Sequence, residues 1–116
     1  MSVRLRPIQA LRLWQEVGLS MVRRHAVDLT QRQMVILLTI YLEPPPHTVR
    51  GLAAKLGVTK PVITRALDAM GELDLVSRRR DPADRRNVII QRTVRGSLFL
   101  DEFSDRVVEA AGALSP

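Results

Sequence analysis

The spacing of apolar positions predicts a chain built mainly from helices. Over residues 7–26 the apolar positions 10, 14, 17 and 21 recur at helical spacing, and Pro7 suits the first turn of such a helix. A second helix should begin after Thr30, because Thr30 and Gln33 have the spacing of a capping box. Its apolar run leaves little polar face, so we expect this helix to be central and buried.

Two short helices are predicted next, with a tight connection between them. Thr48 and Thr59 each stand where a side chain can cap the start of a helix. Gly57, between them, can adopt the left-handed conformation that ends a helix. The three prolines at 44–46 separate this pair from the preceding helix, because proline cannot continue it.

The pattern changes after Asp74. Residues 75–77 and 87–91 are typical of two strands that flank a polar, proline-containing loop, which together form a β-hairpin. Thr93 is expected to cap a last helix. The predicted fold is mainly α with a small β-hairpin (α+β), in which two short helices and a hairpin form a winged helix-turn-helix.

Positive charge is concentrated in one stretch of the chain. The net charge is +6, and residues 48–95 hold eleven Lys and Arg against five Asp and Glu, whereas the rest of the chain has seven of each sign. Such a distribution is typical of a surface that contacts phosphate. There is no cysteine and no apolar run long enough to span a membrane, so we expect a cytoplasmic protein.

The fourth predicted helix and the hairpin are therefore candidates for contacting double-stranded DNA. The start of that helix should enter the major groove, and the tip of the hairpin should reach the minor groove. Asp81 and Asp84 are expected to brace the arginines of the hairpin. Arg78, Arg79 and Arg80 should alternate across their strand, so only some of them can face DNA. Arg78 is ambiguous, because a strand arginine often forms a structural ion pair. The predicted DNA-binding residues are Thr59, Lys60, Pro61, Thr64, Arg65, Arg79, Arg80, Arg85 and Arg86.

These segments resemble a known family. The run over residues 52–65 is similar to the helix-turn-helix of the MarR (multiple antibiotic resistance regulator) family. Residues 75–78, followed by Asp81-Pro82-Ala83-Asp84-Arg85-Arg86, are similar to its strand and wing. The resemblance implies a homodimer that binds a palindromic operator, usually as a repressor, with Arg86 as the wing arginine. It also allows a small-molecule effector, for which the sequence identifies no pocket residues.

The chain departs from the family pattern at three places. Asp74 replaces the glycine that usually precedes the first strand, which is tolerable because Asp can adopt the left-handed conformation. Arg92 replaces the leucine of the Leu-Thr pair before the last helix. The C-terminus is shortened, because family dimers use two C-terminal helices and only residues 93–113 remain here.

One domain over residues 1–116 is expected, with a DNA-binding core at 29–93. The N-terminal segment 1–28 and the C-terminal segment 94–116 should form the dimer contact. The residues predicted to make that contact are Trp14, Val17, Met21, Phe99, Phe103 and Val107.

Other functional classes have less support in the sequence. His25 and His47 have no second ligand at useful spacing, so no metal site is expected. No nucleophile motif or acid–base pair is present, and we expect neither a cofactor nor an enzyme. Two alternatives stay open: an adaptor that binds an acidic partner of the transcription machinery, and a non-specific architectural DNA-binding protein.

Overall fold

A computed structural model of the chain describes residues 3–24 and 27–116. Within these residues the chain forms five helices and one three-stranded antiparallel sheet. The elements are α1 (Pro7–Arg23), α2 (Gln31–Leu42), β1 (His47–Thr48), α3 (Val49–Leu56), α4 (Lys60–Glu72), β2 (Val76–Arg80), β3 (Val88–Arg92) and α5 (Val94–Gly112).

Helix α1 starts where the sequence predicted. Pro7 occupies its first turn, and the backbone N–H of Arg6 donates to Gln9 Oε1 at 2.9 Å. The helix ends at Arg23, and the N–H of Arg24 bonds the carbonyl of Ser20 at 3.2 Å. The predicted end at residue 26, like His25, lies outside the described residues.

Helix α2 is the centre of the core. The predicted capping box is confirmed: the N–H of Gln33 donates to Thr30 Oγ1 at 3.1 Å, and the N–H of Thr30 donates to Gln33 Oε1 at 2.9 Å. Burial of the helix is also confirmed. Together with apolar residues of α3, α4 and the sheet, its buried side chains form a core that includes Ile36, Leu37, Ile40, Leu52, Ile63, Leu67, Met70, Leu75, Val76 and Ile90.

The connection between α3 and α4 follows the predicted turn. Gly57 is left-handed (φ 69°), and the N–H of Val58 bonds the carbonyl of Ala53 at 3.1 Å, which completes a Schellman motif. Thr48 caps α3 through the N–H of Gly51 at 3.0 Å. The predicted side-chain cap at Thr59 is wrong: Thr59 precedes α4, but its hydroxyl bonds no N–H of the helix.

The sheet contains one strand more than the sequence predicted. Its order is β1-β3-β2, with His47 paired to Ile90 and Arg78 also paired to Ile90 from the other side. The missed strand β1 is only two residues long, too short for alternation to be visible. Asp74 does adopt the left-handed conformation (φ 57°), and the N–H of Leu75 bonds the carbonyl of Met70 at 2.9 Å.

The described chain divides into two compact units. One comprises Leu29–Leu100 and therefore contains α2, α3, α4, the sheet and the first turns of α5. The other comprises α1 and the chain from Asp101 onwards, where Gln9 Nε2 donates to the carbonyl of Ser115 at 2.7 Å. We call them the sheet unit and the terminal unit.

Candidate nucleic-acid interface

Helix α4 has one buried face and one polar face. Ile63, Ala66, Leu67 and Met70 are buried, which fixes the rotation of the helix about its own axis. The opposite face is exposed. It consists of Lys60, Pro61, Thr64 and Arg65, which we call the α4 stripe, preceded by the exposed Thr59. All five predicted groove-facing positions are therefore accessible.

The start of α4 leaves polar groups available. Pro61, the second residue of the helix, has no N–H, and its fixed φ suits the first turn. Because Thr59 forms no cap, its hydroxyl remains free for another partner. Neither Lys60 nor Arg65 forms an ion pair with any acidic side chain among the described residues, so the charge of the stripe is uncompensated locally.

An ion pair joins α4 to the first wing strand. Arg78 Nη2 lies 2.8 Å from Asp68 Oδ1, one helical turn beyond Arg65 on the exposed side of the helix. Gly71 lies three residues after Asp68, nearer the end of α4. Arg78 Nη2 is 3.9 Å from the position that a Cβ at Gly71 would occupy. The structural role that the sequence left open for Arg78 is thus observed.

Alternation along β2 separates the three consecutive arginines. Arg78 and Arg80 share the sheet face that is next to α4, and Arg79 is on the other face. Arg79 there lines a cavity of about 580 Å³ with residues that include Pro45, Pro46 and Ile89. Arg80 Nη1 donates to the carbonyl of Arg85 at 2.7 Å, which ties the strand to the loop. The alternation expected from the sequence is thus observed, and it puts Arg79 and Arg80, which were both predicted to bind DNA, on opposite faces of the sheet.

The two aspartates of the wing loop have different partners. Asp84 Oδ1 accepts from both the backbone N–H (3.1 Å) and Nε (3.3 Å) of Arg86, whose side chain stays 92% exposed. Asp81 Oδ1 instead accepts from the backbone N–H of Ala83 at 2.9 Å. Asp84 therefore contacts an arginine as expected, but Asp81 stabilises the turn and contacts no arginine among the described residues. Arg85 is exposed.

Two other cations of the basic stretch have internal roles. Lys55 Nζ pairs with Glu43 Oε1 at 2.6 Å, which joins α3 to the end of α2. Arg92 Nε donates to the carbonyl of Ile40 at 3.2 Å, and its guanidinium lies 5.5 Å from the centre of the Tyr41 ring. Sequence reasoning missed both contacts, because the partners are distant along the chain and no pattern links them.

The predicted dimer residues differ in exposure. Trp14 is 74% exposed, whereas Val17, Met21, Phe99, Phe103 and Val107 are partly buried within the chain. The exposed apolar residues of α1 are Ile8, Leu11, Trp14 and Val22, so Trp14 is the predicted residue of α1 that this face includes. Val17 and Met21, like Leu13, are only partly exposed.

Other kinds of site lack a structural basis in the part of the chain that is described. No cluster of three or more His, Asp or Glu side chains that could hold a metal ion occurs there. The buried His47 has Nε2 at 3.1 Å from the carbonyl of Glu43. Across the described helices, none combines the length and the hydropathy needed to cross a bilayer.

Comparison with known proteins identifies the family. The sequence profile of the MarR family matches residues 29–88, which is more than half of the chain. The chain belongs to the MarR family. The match covers α2, the α3–α4 pair, β2 and the wing loop, and it confirms the resemblance and the winged helix-turn-helix fold.

Solved structures that include transcriptional regulators are similar in fold to most of this chain. The transcriptional regulator Tm0710 from Thermotoga maritima is 26% identical with a TM-score of 0.72, over 86% of this chain and 68% of that one. The transcriptional repressor CouR, solved on a 23-mer DNA duplex, is 27% identical with a TM-score of 0.72, over 89% and 70%. The MepR–DNA complex of S. aureus, at 21% identity and a TM-score of 0.75 over 88% and 81%, shares the fold.

Membership of the MarR family settles the class of the protein. It is a DNA-binding transcriptional regulator and not an enzyme. The chain spans about 70% of the length of Tm0710 and CouR.

Proposed function

We propose that the protein is a homodimeric repressor that binds a two-fold symmetric operator, with the α4 stripe in the major groove and Arg86 in the minor groove. The observation that carries this proposal is the polar, cationic and unpaired face of α4, held outward by four buried apolar residues on the opposite face. A helix presented in this way fits the major groove, where base edges carry a distinct donor and acceptor pattern.

Each residue of the stripe has a chemical role in this proposal. Arg65 is long enough to bridge O6 and N7 of a guanine, and Thr64 and Thr59 offer hydroxyls for shorter contacts. Lys60, in the first turn, suits a phosphate at the edge of the groove. Pro61 adds no donor and keeps the start of the helix rigid.

The wing supplies the second contact. Asp84 holds the guanidinium of Arg86 from one side through Nε, while the side chain as a whole remains 92% exposed. Such bracing lowers the entropy that a long side chain loses when it enters a narrow minor groove. Arg85 and Arg80 are beside it for phosphate contacts, whereas Arg79, on the other sheet face, is left out of the proposed interface.

The terminal unit supports a dimer. Leu11 (69% exposed), Trp14 (74%) and Val22 form an apolar surface on α1, and Val108 is exposed on the later part of α5. Contiguous exposed apolar surface is typical of an interface, and a second copy is the partner that a palindromic operator requires. CouR, which shares the fold and 27% of its residues, is a transcriptional repressor, and this supports the same direction of regulation here.

Selection of bound sequences from a random duplex pool tests the proposal. We expect enrichment of one motif with two-fold symmetry, in which each half contains the guanine contacted by Arg65. The matched control is Lys55→Ala, which removes a cation that is already paired with Glu43. No enrichment, or the same enrichment after Arg65→Ala, would contradict the assignment of the α4 stripe. An unsymmetric motif would contradict the dimer.

A further inference from the structure

The cavity beside Arg79, about 580 Å³ in volume, is formed by residues of the sheet unit alone. Buried Ile40 and Ile90 and half-buried Ile89 form the apolar part of its lining. Pro45 and Pro46 also line it, and both are exposed. The cavity is therefore an open groove at the surface, which we call the Arg79 groove.

The groove carries positive charge that the chain does not neutralise. Two guanidinium groups border it, and none of the described residues that line it is acidic. Arg79 is exposed and forms no ion pair with the described part of the chain. Arg92 is held beside the groove, because its Nε donates to the carbonyl of Ile40 at 3.2 Å. Glu43, the acid next to the prolines in sequence, pairs with Lys55 instead.

Arg79 differs from the other two arginines of its strand. Arg78 pairs with Asp68 of α4, and Arg80 bonds the wing loop, so both are already engaged on the sheet face next to α4. Arg79 is directly opposite Ile89 of β3, on the other face. The part of the groove that these two residues form therefore lies across the sheet from α4.

We infer that the Arg79 groove binds an extended acidic segment of another protein. Carboxylates of the segment pair with Arg79 and Arg92, because guanidinium and carboxylate form charge-assisted hydrogen bonds. An apolar side chain of the segment packs on Ile89 and Pro46. Gln91, exposed on β3 and also part of the lining, has an amide that donates to or accepts from the backbone of the segment.

The shape and the chemistry of the groove favour such a segment over other ligands. A site for a small molecule buries most of its ligand, whereas the side chains of Arg79, Gln91 and Arg92 border this groove and are exposed. An extended segment continues past the groove and needs no enclosure. Duplex DNA offers phosphates to the two arginines but no apolar group for Ile89 and the prolines. The inference does not depend on the proposed function, because the α4 stripe takes no part in it.

Fluorescence anisotropy with a labelled synthetic peptide tests the inference. The probe repeats two glutamates followed by one leucine. One matched peptide has glutamine for every glutamate, and another has serine for every leucine. We expect the wild-type protein to bind the probe about tenfold more tightly than either matched peptide, because both charge and apolar contact contribute.

Three variants locate the bound peptide. Arg79→Ala should weaken probe binding about tenfold, as for the loss of a hydrogen bond between charged groups, with an unchanged Tm. Arg50→Ala is the matched control, because it removes an exposed arginine of α3 that does not line the groove. Arg65→Ala removes a charge of the α4 stripe. Both should leave the affinity for the probe within about twofold of the wild type.

The outcomes separate the groove from a general attraction between opposite charges. No binding of the probe, equal affinity for the three peptides, or an equal loss in Arg79→Ala and either of the other variants would overturn the inference.

Operator binding is measured with the same variant. Arg79→Ala should keep the wild-type affinity for the selected operator, whereas a loss as large as that for the probe would show that the groove belongs to the DNA surface. If the wild-type protein binds no duplex, the proposed function fails, and the peptide titrations still decide this inference.

Discussion

Arg78 and Asp68 form an ion pair that connects the wing to helix α4, with Nη2 and Oδ1 2.8 Å apart. This ion pair therefore connects the two elements that we propose contact DNA. It lies on the exposed side of α4, which also carries the α4 stripe. The pair is partly solvated, with 32% of the Arg78 side chain and 57% of the Asp68 side chain exposed, so its effect on folding should be small.

We expect Arg78→Ala to weaken operator binding up to about fivefold while the free energy of unfolding falls by less than about 1 kcal/mol. The loss should be the same for all operator sequences, because Arg78 orients the wing and contacts no base. Anisotropy titrations with matched and mismatched duplexes measure this. The exchanged pair Asp68→Arg with Arg78→Asp should recover part of the affinity. If both single variants bind weakly and the exchanged pair recovers no affinity, the result would indicate that Arg78 contacts DNA directly.

Arg65 and Arg86 should differ in what they contribute. Arg65→Ala is expected to reduce discrimination at one base pair of each half-site by about 1–3 kcal/mol, because a bidentate contact to guanine is lost. Arg86→Ala should weaken binding to all sequences and lower the dependence of affinity on salt. Competition binding over a panel of single-base operator variants measures both. A uniform loss in Arg65→Ala would show that this residue contacts phosphate only.

Asp74 is a position at which glycine should be better. Its φ of 57° is costly for a residue with a side chain, and its carboxylate stands near the negative end of α4. Asp74→Gly should raise the free energy of unfolding by about 0.5–1 kcal/mol, or the Tm by about 3 °C. Gly57→Ala, at the other left-handed turn, should lower it by a similar amount. Thermal denaturation checks both, and a lower Tm for Asp74→Gly would contradict this interpretation.

The exposed face of α1 should carry the dimer. Leu11→Glu places a charge in the centre of that face, so we expect the mass in solution to fall from that of a dimer to that of a monomer. Arg12→Glu introduces the same side chain one position away, outside the apolar face, and should leave the dimer intact. Light scattering after size exclusion measures the mass. A monomeric wild type, or a dimeric Leu11→Glu variant, would contradict the proposed contact.

The sequence predicted those features whose cause is local. The capping box at Thr30, the left-handed turns at Gly57 and Asp74, and the alternation of the wing strands all depend on residues a few positions apart. The exposure of the α4 stripe also followed, because burial of Ile63 and Leu67 determines which side of the helix faces outward.

The features that were missed depend on contacts between distant residues. Tyr41 and Thr93 are 52 positions apart, and no linear pattern links them. The pair of Asp68 with Arg78 depends on how α4 packs beside β2. Threonine is a common N-cap residue, but the Thr59 side chain does not cap α4 in the structure. Strand β1 exists only because β3 offers it a partner.

The central claim is that a cationic surface on α4 and the wing binds duplex DNA, and the salt dependence of binding tests it most directly. Affinity of the wild-type protein for its selected operator is measured by anisotropy between about 50 and 200 mM salt. If each protomer of the dimer neutralises three phosphates, the affinity should fall about a thousandfold across this range. The triple variant Lys60→Ala, Arg65→Ala, Arg86→Ala should show a shallower dependence. A wild-type affinity that does not change with salt would contradict the claim.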